Sequence, residues 1–265
     1  MSRIWIQGAG ELASGVAWRL LQCGYHVRMA EVANPLAVRR LVAFSEAVYE
    51  GRCVVEGRVG KLLAAQDTAP ERGLAEVLVD PRGAGLPAYA PHAVIDARMT
   101  KKRPEPLPES SALGIGLGPG FRCGRDVDCI IETHRAARLG EVIRTGEAAP
   151  NTGTPGLVGG QTSRRVVYSP VAGHLVPRRA IGDLVEEGEV LGTVGGQEVR
   201  SGLAGRVRGL VHHRAELSAG EKVGDIDPRG QEADPSRITD KGLAIAGGVL
   251  EALLSAGIVP TAVGR

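Results

Sequence analysis

The sequence predicts an α/β protein in three parts. These are a parallel-sheet domain over residues 1–160, a β-rich domain over 165–230, and a C-terminal helical segment over 235–265 that packs back on the core. Three observations carry this. The first thirty residues read strand, glycine turn, helix, strand, acid. The middle of the chain holds short runs that are apolar on successive positions. Residues 169–224 contain an internal repeat.

The opening run is Ile4-Trp5-Ile6-Gln7, then Gly8-Ala9-Gly10-Glu11-Leu12-Ala13-Ser14-Gly15, then Val16 to Cys23 and Tyr25 to Glu31. This is the order of a Rossmann-like nucleotide-binding unit: Gly8 permits a tight turn, Gly10 lets backbone approach a phosphate, and Gly15 lets the helix lie close to the sheet. The free N–H groups of the first helical turn, around Glu11 and Leu12, then face the anion. Glu31 lies about twenty residues beyond the glycines, where a carboxylate accepts from ribose hydroxyls. Gly10 and Gly15 are further apart than the standard motif allows, so the nucleotide is left open.

After Glu31, Pro35 to Phe44 reads as a helix, with Pro in its first turn and Leu36, Val38, Leu41 and Val42 apolar. Short β-like runs follow at Ala47–Tyr49 and Cys53–Val55. Val77–Val79, Ala93–Asp96 and Leu113–Leu117 have the unbroken apolar character of strands covered on both faces. Each ends in polar or glycine-rich sequence, and ligands of open α/β sheets sit at the carboxyl ends of the strands. Arg98, Lys101, Gly118 and Gly120 therefore join Gly8, Ala9, Gly10 and Glu31 at one candidate edge. The proline-rich stretch from Pro104 to Pro108 reads as a surface connection. Cys129–Glu132 and Glu141–Ile143 form two further strands. Asp126, Asp128, Glu132 and His134 lie close together there, where solvated loop acids are favoured over a bound cation.

The repeat aligns Ser169-Pro170-Val171-Ala172-Gly173-His174-Leu175 with Ser201-Gly202-Leu203-Ala204-Gly205-Arg206-Val207. With the same offset, Val185, Gly188-Glu189 and Gly192 match Leu217, Gly220-Glu221 and Gly224. Two equal β-rich halves imply a quasi-twofold sandwich resembling the biotinyl/lipoyl-type barrel-sandwich fold. Carrier members place a modified lysine on the hairpin between the halves. Here that hairpin reads Val194-Gly195-Gly196-Gln197-Glu198-Val199, which argues against a swinging arm. From Ile238 a helix is expected, capped by Thr239, with Leu243, Ala246, Leu250, Leu253 and Leu254 as its apolar stripe. That stripe fits its own core or a second copy of the chain.

Composition narrows the function. At 265 residues the chain can bury a large core, and its net charge is only +2. Aromatics make up 3% and no basic block occurs, which argues against nucleic acid as a partner. No apolar run approaches the ~20 residues that span a bilayer, and the start does not resemble a signal peptide. A cytoplasmic protein is expected. Cys23, Cys53, Cys123 and Cys129 form no CxxC or zinc spacing and read as reduced thiols.

Motifs along nearly the whole chain resemble one family, the accessory proteins of the selenium-dependent molybdenum hydroxylase system, related in role to maturation factors of xanthine and CO dehydrogenases. The resemblance rests on Gly8-Ala9-Gly10-Glu11-Leu12-Ala13-Ser14-Gly15-Val16-Ala17, Ala47-Val48-Tyr49-Glu50-Gly51, Asp96-Ala97-Arg98-Met99 with Lys101, and Gly116-Leu117-Gly118-Pro119-Gly120-Phe121. It continues through Asp126-Val127-Asp128 with Glu132-Thr133, Asn151-Thr152-Gly153 with Pro155-Gly156, Gly224-Asp225-Ile226-Asp227-Pro228-Arg229, and Asp240-Lys241 with Gly247-Gly248-Val249-Leu250-Glu251-Ala252. The family usually has Asp at position 11, so Glu11 keeps the carboxylate. Cys123 and Cys129 stand where small apolar residues are expected, which weakens any thiol mechanism.

The resemblance implies a role in maturing or supplying a molybdenum hydroxylase, with that enzyme or its cofactor as partner, and leaves the chemical step and the part played by selenium undefined. The ligand expected at the edge is a nucleotide such as NAD(P), or a pterin-cytosine dinucleotide. Gly8, Ala9, Gly10, Glu11 and Leu12 would hold phosphate and Glu31 ribose. Arg98 and Lys101 would pair with a second anionic group, and Gly118 and Gly120 would admit close backbone approach. Asp126, Asp128 and Glu132 are the acids to test for cation-dependent phosphoryl or nucleotidyl chemistry. An NAD(P)-dependent oxidoreductase of a small metabolite is the alternative, although no Tyr-x-x-x-Lys proton donor is present. A non-catalytic scaffold is the third reading.

Overall fold

The computed structural model describes residues 2–64, 69–100, 102–110, 112–151, 153 and 158–260. Two compact units are found. The first comprises residues 1–33, 43–151 and 238–265; the second, 34–42 and 152–237.

The first unit is a mixed α/β layer. It opens with β1 (Arg3–Gln7), α1 (Glu11–Cys23) and β2 (His26–Glu31). It continues with α2 (Glu46–Glu50), β3 (Arg52–Val55), β4 (Arg58–Leu62), β5 (Leu74–Val79), α3 (Leu86–Tyr89), β6 (Ala93–Asp96), β7 (Leu113–Leu117), β8 (Cys129–Ile131) and β9 (Val142–Ile143). These strands form a nine-stranded sheet in the order β3-β4-β5-β2-β1-β6-β7-β8-β9. Pairing is parallel from β4 to β8, and the edge strands β3 and β9 pair antiparallel. On one side of β1 the chain lays down β2, runs out to β3 at the edge and comes back through β4 to β5 beside β2; it then crosses to add β6, β7, β8 and β9 on the other side. The order thus reverses between β1 and β6, where open sheets of this kind form a crevice.

The two faces of this sheet differ. Ile4, Ile6, Ile95, Ile115, Leu117 and Ile131 share one face through their register, and all are wholly buried. The other face carries Trp5, which packs with Ala30, Leu78, Leu86 and Tyr89. Trp5 donates its indole N–H to Gln7 Oε1 (2.9 Å), and Gln7 donates onward to the Asp80 carbonyl (3.0 Å). A buried indole N–H without a partner would cost about 1–3 kcal/mol.

The C-terminal helix α4 (Asp240–Ser255) is capped by Thr239, whose Oγ1 accepts the Gly242 N–H at 3.1 Å. Its buried face is Gly242, Ile245, Ala246, Gly248, Val249, Ala252 and Leu253. The expected stripe is corrected: Leu254 is 48% exposed, and Leu243 and Leu250 lie at the margin. The reason is close packing through glycines. A Cβ on Gly248 would strike the Gly140 carbonyl and Ile131, and one on Gly15 would lie 3.3 Å from Ile238 Cγ2 and 3.4 Å from Gly242 Cα. Gly15 therefore admits α4 to α1, where the sequence suggested approach to the sheet.

Two local expectations also change. Ala47–Tyr49 lies in α2 and is not a strand, because Gly51 in the left-handed region (φ 72°) closes a helical turn by donating to the Ala47 carbonyl. Pro35–Phe44 does not form the expected helix; a single 3₁₀ turn at Arg40–Val42 remains. Tertiary bonds within the second unit hold this segment open. Asn34 exchanges two hydrogen bonds with Glu216, Arg39 donates to the Pro235 and Arg237 carbonyls, and Arg40 donates to that of Leu210.

The second unit is antiparallel. It contains β10 (Val166–Tyr168), β11 (Leu175–Pro177), β12 (Leu184–Val185), β13 (Val190–Val194), β14 (Gln197–Arg200), β15 (Gly205–Leu210) and β16 (Lys222–Asp227). One sheet has the order β10-β16-β15-β12, the other β11-β13-β14. The Ser169 N–H donates to the Glu221 carbonyl and the Ser169 carbonyl accepts from the Gly220 N–H; Ser201 bonds in the same way with Glu189 and Gly188. Each half of the repeat is thus bonded to the glycine–glutamate turn of the other. Among the described residues no helix is long and apolar enough to cross a membrane.

Candidate functional site

The carboxyl edge of the large sheet gathers the glycine turn, Glu31, the Asp96–Arg98 segment and the Gly118–Gly120 loop. Gly8 adopts φ 107°, open to glycine alone at low cost, and its N–H reaches the Ala30 carbonyl at 2.6 Å. A Cβ there would sit 3.0 Å from the Ala97 carbonyl, so this glycine lets the turn after β1 meet the segment after β6. Gly10 differs: a Cβ would meet nothing within 4 Å. It is the N-cap of α1, and no side chain caps that helix. Open space thus lies beside Gly10 at the start of α1, near the reversal of strand order.

Ala9 is the braced centre of the turn. Its N–H donates to Glu31 Oε2 (2.7 Å), and its carbonyl accepts from Ser45 N–H (2.9 Å) and the Ser14 hydroxyl (3.0 Å). Ser14 is fully buried and accepts the Phe44 N–H at 2.7 Å. Sequence reasoning missed Ser14 and Ser45. The signal for Ser14 was a hydroxyl at a position of α1 that the apolar pattern assigns to the core. Glu11 Oε1 accepts from the Thr239 hydroxyl at 3.4 Å, joining the starts of α1 and α4, and Leu12 is partly buried beside it.

Glu31 closes β2 where the sequence places it, but its carboxylate is turned onto the backbone, with Oε1 accepting from Val32 (2.8 Å). Burial raises its pKa, and the two N–H donors oppose that shift. A carboxylate offers about four acceptor positions. Among the described residues two of these are taken, by Ala9 and Val32.

Arg98 is paired with Asp96. Nε donates to Oδ1 (3.0 Å), Nη2 to Oδ2 (2.5 Å) and also to the Glu105 carbonyl (2.7 Å). Lys101 lies outside the described residues. Gly118 (φ 73°) and Gly120 (φ 110°) are needed by the protein's own packing: a Cβ on the first would strike Thr133 Oγ1, and one on the second would lie 2.5 Å from the Lys102 carbonyl.

The three acids do not converge on a common point. Asp126 takes Arg103 Nε (2.9 Å), Arg125 Nη2 (2.8 Å) and Arg122 N–H (2.9 Å), and the Arg125 bond leads in holding its pKa down at about 2. Asp128 accepts the Gly114 N–H (2.7 Å). Glu132, 3% exposed, accepts from Thr133 (2.8 Å), His134 (2.7 Å) and Ala149 (2.8 Å). Asp126 and Glu132 organise separate loops, and Asp128 is tied to β7 through Gly114. Asp126 and Arg98 do meet, as lining of a cavity of about 430 Å³ on the face that carries Trp5.

No family model matches the chain. An Escherichia coli (strain K12) protein, "Uncharacterized protein YqeB", is 44% identical over 252 residues, covering 94% of this chain and 47% of that protein. The chain therefore spans about half the length of the curated relative it matches. Among solved structures, a succinylglutamate desuccinylase/aspartoacylase from Rhodobacter sphaeroides is similar over 32% of this chain and 29% of its own, at 22% identity and TM-score 0.24. An aspartoacylase family protein from Mesorhizobium loti is similar over 85% and 84%, at 12% identity and TM-score 0.28. Similarity this weak assigns no chemistry.

Proposed function

We propose that this chain is an accessory factor in the maturation of a molybdenum hydroxylase, and that it binds a nucleotide or a nucleotide-bearing molybdenum cofactor at the carboxyl edge of its large sheet. The observation that carries the binding half is the uncapped start of α1. It stands behind the open Gly10 at the reversal of strand order between β1 and β6. Backbone N–H groups and the helix dipole at such a point favour a phosphate. The maturation half is supported by the run of motifs from Gly8 to Ala252 that resembles the accessory family.

In this reading the first unit is Rossmann-like. Gly8 to Leu12 hold phosphate, while Glu31 offers its carboxylate to ribose. The second unit is a barrel-sandwich of the biotinyl/lipoyl kind, supported by the reciprocal bonds of Ser169 and Ser201. Its β13–β14 hairpin turns on Gly195-Gly196, both at positive φ, and carries no lysine. It serves as a docking or capping unit.

Calorimetry of the purified chain against NAD, NADP, ATP, CTP and pterin-cytosine dinucleotide tests the binding half, with Gly10→Asp as control. The expected result is micromolar binding of the pterin or cytidine ligand, lost in the variant. Selective NAD(P) binding with turnover visible by absorbance would replace this reading with an oxidoreductase. Silence across the panel would leave a scaffold.

A further inference from the structure

Over β6 and β7 the Trp5 face of the sheet is built unlike the rest. The described residues of the crossover between these strands, which include Pro104, Pro106 and Pro108, form no helix or strand. Proline lacks an N–H and disrupts a helix interior, so this crossover lays no helix on the sheet. Beneath it β7 presents Gly114 and Gly116, in register with Val94 and Asp96 of β6. The Phe121 ring folds onto the space that a Cβ on Gly116 would take. With no helix among the described crossover residues and only glycines on this face of β7, a cavity of about 430 Å³ remains, within the range that holds small organic ligands.

Its apolar lining includes Val94, Leu107 and Phe121, and its charges are arranged in pairs. Asp96 holds Arg98; Asp126 holds both Arg103 and Arg125. Three guanidiniums thus stand over two carboxylates. Each engages its carboxylate through Nε and Nη2, and among the described residues none uses Nη1. Glu105 and Glu109 also border the cavity on the exposed strip of the crossover, and water screens them as it screens the exposed Arg103 and Arg125, so recognition here rests on directed guanidinium hydrogen bonds and not on net charge. Fixing arginines on carboxylates removes much of the side-chain entropy that binding an anion would otherwise cost.

We infer that this cavity is a second ligand site, which takes a small organic acid with a flat apolar body and a single carboxylate or phosphate. The body lies along Val94 and Phe121, and the anion bridges the free edges of Arg103 and Arg125. The site shares Arg98 with the edge expected to hold a nucleotide, but Gly8, Gly10 and Glu31 do not line it and the proposed anion contacts are Arg103 and Arg125, so it does not depend on that reading.

The test is calorimetry and saturation-transfer NMR of the full chain with benzoate, phenyl phosphate, neutral benzamide and inorganic phosphate. One of the two aromatic acids is expected to saturate with a Kd on the order of 1 mM or tighter, with benzamide and inorganic phosphate about tenfold weaker. Whichever acid binds more tightly identifies the anion. Arg103→Gln and Arg125→Gln, at half-exposed positions, should each weaken binding about fivefold. Val94→Phe should abolish it by filling the floor, and Gly10→Asp should leave it unchanged. The inference is overturned if neither acid saturates, if benzamide binds as well as the acids, or if binding survives both arginine variants in protein whose melting matches the parent.

Discussion

Glu31 Oε2 accepts the backbone N–H of Ala9 at 2.7 Å, so the acid that ends the second strand is bonded to the centre of the glycine turn that ends the first. Residues twenty-two positions apart are thereby held as one element, and the carboxylate both shapes the turn and remains available beside it.

Glu31→Ala should therefore act twice. Losing two charge-assisted bonds costs about 2–3 kcal/mol of stability, read by urea unfolding. Nucleotide affinity, read by calorimetry, should fall about tenfold or more, because both ribose contacts and turn geometry are lost. Unchanged affinity in the folded variant would confine Glu31 to structure.

Glu132→Gln is expected to destabilise the protein by about 2–3 kcal/mol, since the amide can replace only one of two oxygens and turns a donor toward backbone N–H groups. Nucleotide binding should persist in the folded variant. A selective loss of ligand chemistry with parental stability would restore the catalytic reading of this acid.

Asp126 gives a pH signature. Its folded pKa is depressed from 3.8 to about 2, so the unfolded chain binds the proton more readily in that interval. The stability it contributes is fully present above pH 3.8 and is lost as the pH falls through about 2. In paired urea titrations the gap between the parent and Asp126→Asn should be flat above about pH 4 and should narrow toward pH 2. A gap independent of pH would show that the arginines do not hold the carboxylate ionised.

The repeat predicts matched costs. Ser169 Oγ donates to the Val171 carbonyl and Ser201 Oγ to that of Leu203, both at 2.6 Å, and both serines are 3% exposed. Ser169→Ala and Ser201→Ala should each cost about 1 kcal/mol, equal within a few tenths. A cost confined to one serine would show that the two halves do not carry equivalent loads.

What the sequence determined by itself was whatever repeats locally. The apolar runs at Val77–Val79, Ala93–Asp96 and Leu113–Leu117 are strands, as their consecutive apolar residues predict, with Val77, Leu78, Ile95, Ile115 and Leu117 buried and Val79 exposed. Thr239 caps α4 because its hydroxyl needs only the N–H three residues on. The repeat around Ser169 and Ser201 was legible because equal local bonding needs equal local sequence.

Tertiary structure decided what depends on partners remote in the chain. Asn34–Val42 lost its helix to backbone groups that lie past residue 209. Gly15 faces α4 because two glycines meet there, and no local period announces a partner more than two hundred residues away. The same holds for the site. Glycines and acids could be placed on an edge by strand order, but which backbone groups each carboxylate would take was set by loops converging in space. A carboxylate binds the nearest desolvated N–H, and only the assembled fold determines which one that is.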